Sequence, residues 1–346
     1  MRCADLSGAP PYRLAIAGES YAGHPWNDKV PAGQTIRIFT GAPVPAGLDC
    51  VVIQEDCDWD TAGVTVRVSA SPGDNIRQAG HDVRAGQSLL SAGTRITAFH
   101  LGWMSACGVT EICVYRRPRI AIFSTGDELV EPGGRLQAGQ IYDANRHMLR
   151  LLLARLPVHL DDFGILPDDP QRIRDAIQRA AATCDAVVTS GGVSVGDADW
   201  VKRIVDEMGV LKFWKLNLKP GKPLAYGRIG QALFFGLPGN PVSTVVTALM
   251  LARPALLKLS GSVYQPPLRV AARLADSIEH RPGREEFQRG CFYQQDGEIL
   301  VSVTGDQSSN RLASFADANC LIQIPKHNGD LVQGDQVVIL PFSGLL

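Results

Sequence analysis

The sequence lacks both an imbalance of charge and the spacings that mark common metal sites. Its 346 residues carry 34 lysines and arginines against 35 aspartates and glutamates, which gives a formal net charge of -1. Such a chain has no global field to recruit nucleic acid or an anionic membrane, so we expect neither as a partner. Neither C-x-x-C nor H-E-x-x-H occurs, which argues against protein-bound zinc.

The eight cysteines are scattered, which is not the pattern of a disulfide framework and predicts reduced, mostly buried thiols. The chain opens without the apolar segment of a signal peptide. Arg253 and Pro254 interrupt the most apolar helix candidate, residues 242–259. These features predict a cytoplasmic protein. The length, with 45% hydrophobic and 20% charged residues, predicts about two to four domains.

Short β-rich runs divided by Gly, Pro and Asp occupy residues 13–93. The predicted strands there are residues 35–39, 50–54 and 64–68, which together indicate a small all-β module. A predicted helix at residues 98–107 and a predicted strand at residues 111–115 then lead to a linker, Arg116-Arg117-Pro118.

Residues 119–261 alternate apolar runs with amphipathic segments, as a βαβ series with a mostly parallel sheet requires. The predicted strands are residues 120–124, 159–165, 186–190 and 232–236. The predicted helices begin near Ala144, Pro170, Trp200 and Pro241. Asp168-Asp169-Pro170 supplies an N-cap and a first-turn proline. Short strands after residue 265, ending at residues 337–340, predict a second small β-domain.

Three segments of this central region place a glycine-containing turn after an apolar strand. The turns are Ser124-Thr125-Gly126-Asp127-Glu128, Ser190-Gly191-Gly192-Val193-Ser194 and Leu237-Pro238-Gly239-Asn240-Pro241. In a parallel sheet such turns emerge at one carboxyl edge, where backbone N–H groups and helix N-termini favour an anion. Because neither G-x-x-x-x-G-K-[ST] nor G-x-G-x-x-G occurs, P-loop and Rossmann dinucleotide enzymes are disfavoured. We expect one phosphate-bearing ligand.

Charged residues near these turns suit such a ligand. Lys215, Asn217 and Lys219 share one face if their segment is extended, and ammonium groups suit phosphate or a tetrahedral oxyanion. The alternative is a solvated strand edge guarded by lysines. Clustered carboxylates suit Mg²⁺ bridging a phosphate, although a single one could be only a helix cap or a turn residue. The candidates are Asp127, Glu128, Asp143, Asp168, Asp169, Asp197 and Asp199.

Several motifs together resemble the molybdopterin molybdenumtransferase family. They are Ser124-Thr125-Gly126-Asp127-Glu128-Leu129, Ser190-Gly191-Gly192-Val193-Ser194-Val195-Gly196-Asp197, Lys219-Pro220-Gly221-Lys222-Pro223 and Phe234-Phe235-Gly236-Leu237-Pro238-Gly239-Asn240-Pro241-Val242-Ser243. Upstream, Ile36-Arg37-Ile38-Phe39-Thr40-Gly41-Ala42-Pro43-Val44-Pro45 and Ile76-Arg77-Gln78-Ala79-Gly80-His81-Asp82 match as well. The resemblance therefore runs, in order, over nearly the whole chain.

The resemblance implies an α/β multidomain fold. A central, mostly parallel α/β sandwich that binds molybdopterin is flanked by a β-rich module and a C-terminal small β-barrel. The implied domains are residues 1–82 for the β-rich module, 83–117 for a remnant of the dimerisation domain, 118–264 for the α/β domain and 265–346 for the barrel. The implied assembly is an elongated homodimer, and a molybdopterin adenylyltransferase is a possible partner enzyme.

The resemblance also implies the reaction: adenylylated molybdopterin and molybdate give molybdenum cofactor and AMP, with Mg²⁺. It implies catalytic roles for Glu128, Asp168, Asp199, Lys215 and Lys219, the three carboxylates being the metal candidates. Thr40 and Asp82 would complete the site of the other subunit. The implied substrate-binding residues, these two included, are Thr40, Asp82, Ser124, Thr125, Gly126, Asp127, Ser190, Gly191, Gly192, Ser194, Pro238, Gly239, Asn240, Pro241 and Ser243.

Members of the family ordinarily begin with roughly sixty residues that have no counterpart here, as a prior from length. We therefore expect a truncated chain or a misassigned start. This departure keeps a non-catalytic pterin-binding or scaffolding protein open as an alternative. A second alternative is a molybdopterin adenylyltransferase, which shares the α/β domain but is disfavoured by the flanking β modules.

Overall fold

The computed structural model of the chain describes residues 1–192 and 200–345, without the side chains of Phe213 and Trp214. Within these residues the chain divides into two compact units, Met1–Leu89 and Leu90–Leu346.

The first unit is built on a twisted sheet with the strand order β2-β1-β4-β3. Its strands are β1 Tyr12–Ser20, β2 Gln34–Ile38, β3 Cys57–Asp60 and β4 Gly63–Val66. β1 runs parallel to β2 and antiparallel to β4. Tyr12 and Leu14 are buried while Arg13 between them is exposed, because alternate side chains of a strand face opposite sides of the sheet.

The predicted strands at residues 35–39 and 64–68 are confirmed as β2 and β4. The strand predicted at residues 50–54 is wrong. That run is an irregular segment in which Cys50 is buried and Ile53 is exposed. The N–H of Cys50 donates to Met1 O and that of Val51 to Asp74 O. Asn75 Nδ2 donates to Val51 O at 2.7 Å. The backbone is thus satisfied by loops rather than by a neighbouring strand.

The second unit contains the α/β region and a barrel. The strands that precede the barrel strands are β5 Arg119–Thr125, β6 Leu129–Val130, β7 Ile141–Tyr142, β8 His159–Leu166, β9 Ala186–Ser190, β10 Val210–Lys215, β11 Leu218–Lys219, β12 Pro223–Ile229 and β13 Ala232–Leu237. Its helices are α1 Ala98–Ala106, α2 Asn145–Leu153, α3 Pro170–Thr183, α4 Trp200–Met208, α5 Pro241–Thr247, α6 Arg253–Leu259 and α7 Phe342–Leu345.

The central sheet has the order β10-β12-β13-β9-β5-β8. The four strands β13, β9, β5 and β8 are parallel, and β12 and β10 extend the sheet in antiparallel fashion. Ile120 and Ile122 pack on one face with α2 and α6, and Ala121 and Phe123 pack on the other with α3 and α4. Burial on both faces explains why these strands are apolar throughout. The predicted mostly parallel α/β sandwich is confirmed.

The predicted strands and helix starts of this region agree with the structure to within about two residues, the usual uncertainty of an element's ends. The predicted N-cap is confirmed, since Asp169 Oδ1 accepts from the N–H of Arg172 at 2.9 Å and Pro170 opens the helix. The strand predicted at residues 111–115 is wrong. The described structure assigns these residues no strand, and Ile112 and Val114 are exposed.

The predicted interruption at Arg253 and Pro254 takes the form of a change of helix type, because α6 begins at Arg253 directly after a π-helical turn. Residues Pro241–Leu259 form one helix of 19 residues, in which a π-helical turn, Ala248–Ala252, joins α5 to α6. By length and composition alone this helix could cross a membrane, but 56% of its apolar window is buried inside the protein. Val242 and Leu256 are fully buried, as in a core helix.

The C-terminal region forms a closed barrel, as predicted. Its strands are β14 Val270–Leu274, β15 Glu285–Gln295, β16 Glu298–Val303, β17 Cys320–Ile324 and β18 Gln336–Pro341. They follow the order β15-β16-β14-β18-β17, and β17 pairs again with β15 to close the ring. β11 joins this barrel by pairing with the start of β15, so a short segment between two strands of the central sheet is shared with the barrel.

The thiols offer a direct test of this fold. All eight cysteines are free, as predicted; Cys50 and Cys320 are buried, whereas Cys107 and Cys113 are exposed. Burial raises the pKa of Cys50 and of Cys320 to about 12. Because the thiolate is the nucleophile, iodoacetamide at pH 8 should label Cys107 and Cys113 first, as followed by peptide mass spectrometry. Rapid labelling of Cys50 or Cys320 in the folded protein would contradict the burial.

Candidate functional site

Three strand ends meet at the carboxyl edge of the central sheet, as predicted. Ser124 at the end of β5 pairs with Ser190 at the end of β9, which in turn pairs with Leu237 at the end of β13. The three glycine-containing turns therefore begin at the same level of the sheet. On the other side of β5, Thr125 pairs with Leu166 of β8, so a fourth turn carries Asp168 to the same edge.

The first and fourth turns bring carboxylates together. Asp127 Oδ1 accepts from the N–H of Asp168 at 3.1 Å. Gly126 has φ +145°, and a Cβ there would lie 2.3 Å from Glu128 Oε2, so the Glu128 carboxylate is folded back over the turn. Asp127, Glu128 and Asp168 are all exposed. The turn after β5 thus presents oxygen ligands to solvent beside Asp168.

These oxygens are the donors that Mg²⁺ prefers, and Mg²⁺ often takes only one or two carboxylates. Two further predicted site residues, Ser194 and Asp199, lie outside the described residues, as does Asp197. Where the structure is described, the group of three potential ligands within 4.8 Å of one another is instead Cys3, Asp49 and Cys50 in the first unit. Burial raises the pKa of both thiols, which opposes the thiolate that a metal needs.

Asp143, another carboxylate of the predicted cluster, is occupied elsewhere. It is buried and accepts from Arg146 Nε at 3.1 Å. Arg146, also buried, donates to Asp162 Oδ2 at 2.5 Å and pairs with Glu131. This ion-pair network ties the segment that follows Glu128 to the start of α2. Asp143 is therefore a structural partner of Arg146 rather than a metal candidate.

The second turn approaches the first closely. Gly191 and Gly192 have φ +88° and +66°. A Cβ on Gly191 would lie 3.0 Å from Thr125 O, and one on Gly192 would lie 2.9 Å from Thr125 Oγ1 and 2.4 Å from Val201 Cγ2. Both positions require glycine, for backbone conformation and for space.

Asn145 links the second and third turns, and the sequence reasoning missed it. Its Nδ2 donates to Ser190 Oγ at 2.7 Å and to Gly239 O at 2.6 Å. The available signal was its place at the predicted start of α2, a helix whose first turn reaches the carboxyl edge. An amide there can bond two strand ends at once.

Buried hydroxyls line this edge. Ser124 Oγ, Thr125 Oγ1 and Thr189 Oγ1 are buried and have no hydrogen-bond partner among the residues that the structure describes, and Asn145 Oδ1 shares this property. Buried polar atoms normally have partners, so a cluster without them is unusual.

The third turn is held by the barrel. Asn240 Nδ2 donates to Ser309 Oγ at 3.2 Å, and the N–H of Val242 donates to Ser309 O at 3.1 Å. Pro241 opens α5, Thr244 Oγ1 donates to Pro238 O at 2.6 Å, and Ser243 is buried. Ser309, which the sequence reasoning also missed, thus holds Asn240 and Val242 of this turn.

A buried arginine orders the barrel loop that carries Ser309. Arg289, fully buried on β15, donates to Asp306 O at 3.0 Å, to Gln307 O at 3.2 Å and to Ser308 O at 3.3 Å. Burial lowers the pKa of Arg289 to about 10. Hydrogen bonds from Ser308 hold the pKa of Asp306 below its ordinary value. The same strand also carries Glu285, Glu286 and Gln288, so Arg289 did not stand out in the sequence.

The two predicted lysines do not share a strand face. β10 ends at exposed Lys215, and Lys219 lies in β11, which belongs to the barrel sheet. The expectation of one extended segment is wrong because the chain bends at Asn217. Lys219 Nζ instead lies 3.0 Å from the buried carboxylate of Glu286 on β15. Thr40 and Asp82, predicted for the site of the other subunit, are exposed in the first unit.

Family models match this chain along most of its length. A "probable molybdopterin binding domain" matches residues 121–258, the "MoeA N-terminal region (domain I and II)" matches residues 1–108, and the "MoeA C-terminal region (domain IV)" matches residues 271–342.

Curated proteins and solved structures agree with these matches. A molybdopterin molybdenumtransferase of Haemophilus influenzae is 40% identical over 96% of this chain and 83% of its own length. One from Nostoc is 34% identical over 95% of this chain and 77% of its own length. The molybdopterin biosynthesis MoeA protein of Pyrococcus horikoshii superposes with a TM-score of 0.84 at 27% identity, covering 99% of this chain and 85% of that one.

Gly192 tests the close approach of the turns. Gly192→Ala should lower the free energy of unfolding by about 1–2 kcal/mol for the left-handed backbone and by about 1–3 kcal/mol more for the clash with Val201 and Thr125. Gly133→Ala is the matched control, because Gly133 has φ +93° and open space around its Cβ position. Chemical denaturation measures both. Equal losses in the two variants would contradict the packing described for Gly192.

Proposed function

This chain belongs to the molybdopterin molybdenumtransferase family and has a role in molybdenum cofactor biosynthesis, and we propose that it transfers molybdenum from molybdate to adenylylated molybdopterin with release of AMP. The observation that carries the proposal is the meeting of Ser124, Ser190 and Leu237 at one sheet edge. Four turns there offer glycine backbone and carboxylates to one ligand.

The turns account for binding of the pterin phosphate. The backbone N–H of Gly192 favours an anion at the second turn, whereas that of Gly191 donates to Leu237 O and that of Val242, in the first turn of α5, donates to Ser309 O. The hydroxyls of Ser124, Thr125 and Thr189 lie buried at the ends of β5 and β9, and none of them has a hydrogen-bond partner among the described residues. Asn145 keeps the second and third turns at a fixed separation, so the ligand meets a preorganised surface.

The lysines account for charge compensation. Molybdate is a tetrahedral dianion, and AMP release develops negative charge at the phosphate. We assign Lys219 and Lys215 to the oxygens of molybdate or of phosphate, because ammonium groups suit such oxyanions as point charges. Lys219 is the better placed of the two, since a buried carboxylate holds its ammonium while 45% of its side chain stays exposed.

The carboxylates at this edge would bind the divalent cation. Glu128 and Asp168, together with Asp199 outside the described residues, would hold Mg²⁺, and Asp127 would orient Asp168 through its backbone. When bound, Mg²⁺ supplies positive charge that polarises phosphate oxygens. The carboxylates not engaged by the cation would orient water and accept its proton.

The family resemblance further supports a homodimer in the cytoplasm. We propose that Thr40 and Asp82 of one subunit reach the site of the other, and that a molybdopterin adenylyltransferase supplies the adenylylated substrate. The eight free cysteines fit a reducing compartment.

Lys219 tests the reaction. Lys219→Ala should lower kcat for molybdate-dependent AMP release from adenylylated molybdopterin by roughly 100-fold, the usual effect of removing one group that stabilises developing charge. Lys212→Ala, an exposed lysine of β10, is the matched control and should keep full activity. Unchanged AMP release by Lys219→Ala would contradict the assignment. Absence of AMP release from the wild-type chain would favour the pterin-binding or scaffolding alternative.

Chelation and substitution of Glu128 test the proposed requirement for Mg²⁺. Chelation with EDTA should abolish AMP release, and added Mg²⁺ should restore it. Glu128→Gln should raise the Mg²⁺ concentration for half-maximal rate by roughly tenfold, because a neutral amide is a weaker ligand for a hard cation. Glu111→Gln, an exposed carboxylate away from the turns, should leave this concentration unchanged. An identical Mg²⁺ dependence in Glu128→Gln and the wild type would argue against Glu128 as a ligand.

A further inference from the structure

Glu286 is a buried carboxylate whose partner is the lysine assigned to the oxyanion. It lies on β15 of the barrel with 2% of its surface exposed. Lys219 Nζ donates to Glu286 Oε2 at 3.0 Å. Isolated carboxylates are rarely buried, and this one is compensated by a cation whose own side chain is 45% exposed.

Two further side chains fix the Glu286 carboxylate. Gln288 Nε2 donates to Glu286 Oε1 at 3.1 Å, and His280 Nε2 lies 3.7 Å from Glu286 Oε2. The ring nitrogens of His280 also lie 3.0 Å from Asn328 O and 3.1 Å from Arg284 O.

Backbone pairing between β11 and β15 also places Lys219 opposite Glu286. β11 runs parallel to β15, with Leu218 opposite Glu285 and Lys219 opposite Glu286. The N–H of Glu285 donates to Asn217 O at 2.9 Å. Immediately after Lys219, the chain returns to the α/β domain, where a Cβ on Gly221 would lie 2.6 Å from Thr247 Cγ2 of α5. The barrel therefore constrains both the backbone and the ammonium of Lys219.

We propose that Glu286 is a positioning residue for Lys219: it holds the lysine ammonium where a tetrahedral oxyanion substrate is bound. This inference rests on the proposed role of Lys219. A free lysine side chain loses rotamer freedom when it binds an anion, whereas one already held by a carboxylate has lost much of it beforehand. The charge of the carboxylate acts in the opposite direction, since it weakens the field of Lys219 at the oxyanion.

Positioning by Glu286 and screening by its charge predict opposite changes in molybdate affinity when Glu286 is neutralised. A measurement of the affinity for molybdate therefore separates the two effects. Calorimetric titration of the full chain with molybdate is the measurement, because it needs no turnover. If positioning dominates, Glu286→Gln weakens molybdate binding by roughly tenfold, the size expected for one charge-assisted hydrogen bond. In a Lys219→Met background the same substitution then changes the affinity by less than about twofold, because the group that it positions is gone.

Glu285→Gln is the matched control, since Glu285 is the adjacent residue of β15 and pairs with Gln323; it should bind molybdate as the wild type does. Glu286→Asp, which keeps the charge on a shorter side chain, should weaken binding to an intermediate extent and guards against a folding defect in Glu286→Gln. Tighter binding by Glu286→Gln would overturn the inference in favour of simple screening. Unchanged affinity with lower thermal stability would overturn it in favour of a structural role.

The titrations also distinguish a failure of the positioning role of Glu286 from a failure of the proposed role of Lys219. If the wild type binds molybdate and Lys219→Met loses binding, the role of Lys219 stands, and additive effects in the double variant would overturn the positioning role alone. If the wild type fails to bind molybdate, or Lys219→Met binds it equally well, the proposed role of Lys219 falls, and the inference falls with it.

Discussion

The parallel register of β5, β9 and β13 is the constraint on which the candidate site depends. Pairing Ser124 with Ser190, and Ser190 with Leu237, forces three turns to leave the sheet at one level. The register is specified by burial on both faces, because a slip of one residue would turn every inward side chain to the opposite layer. The apolar strands that stabilise the domain thus also set the positions of its polar turns.

The barrel contributes to the same edge from outside the sheet. Arg289, buried and bonded to three loop carbonyls, presents Ser309 to the turn at Asn240. Glu286 pairs with Lys219, which lies on β11. This strand is part of the α/β region in sequence but pairs with β15 of the barrel. Arg289 and Glu286, which are buried in the barrel, therefore connect the packing of the barrel to polar groups of the α/β region. Buried charges demand fixed partners, which is why they suit this task.

Sequence periodicity was sufficient where strands are buried on both faces and helices begin with clear caps. The run ending at Ser124 and the cap at Asp169 are examples, since continuous apolarity and an Asp-Pro pair are local signals. It failed at residues 50–54 and 111–115, where apolar runs pack or lie exposed without a neighbouring strand. Strand pairing depends on a distant partner, and apolar composition alone does not reveal whether one exists.

The sequence by itself determined the family, the four parallel strands of the central sheet and the turns that carry Ser124, Ser190 and Asn240. Continuous apolar runs mark strands buried on both faces, and glycine and proline impose local geometry. Only the tertiary structure decided which charges are available. It engages Asp143 with Arg146, pairs Lys219 with Glu286 and places Lys215 and Lys219 in different sheets. The physical reason is that an ion pair depends on distance in space, and residues 67 positions apart in the chain become neighbours only when two sheets have closed.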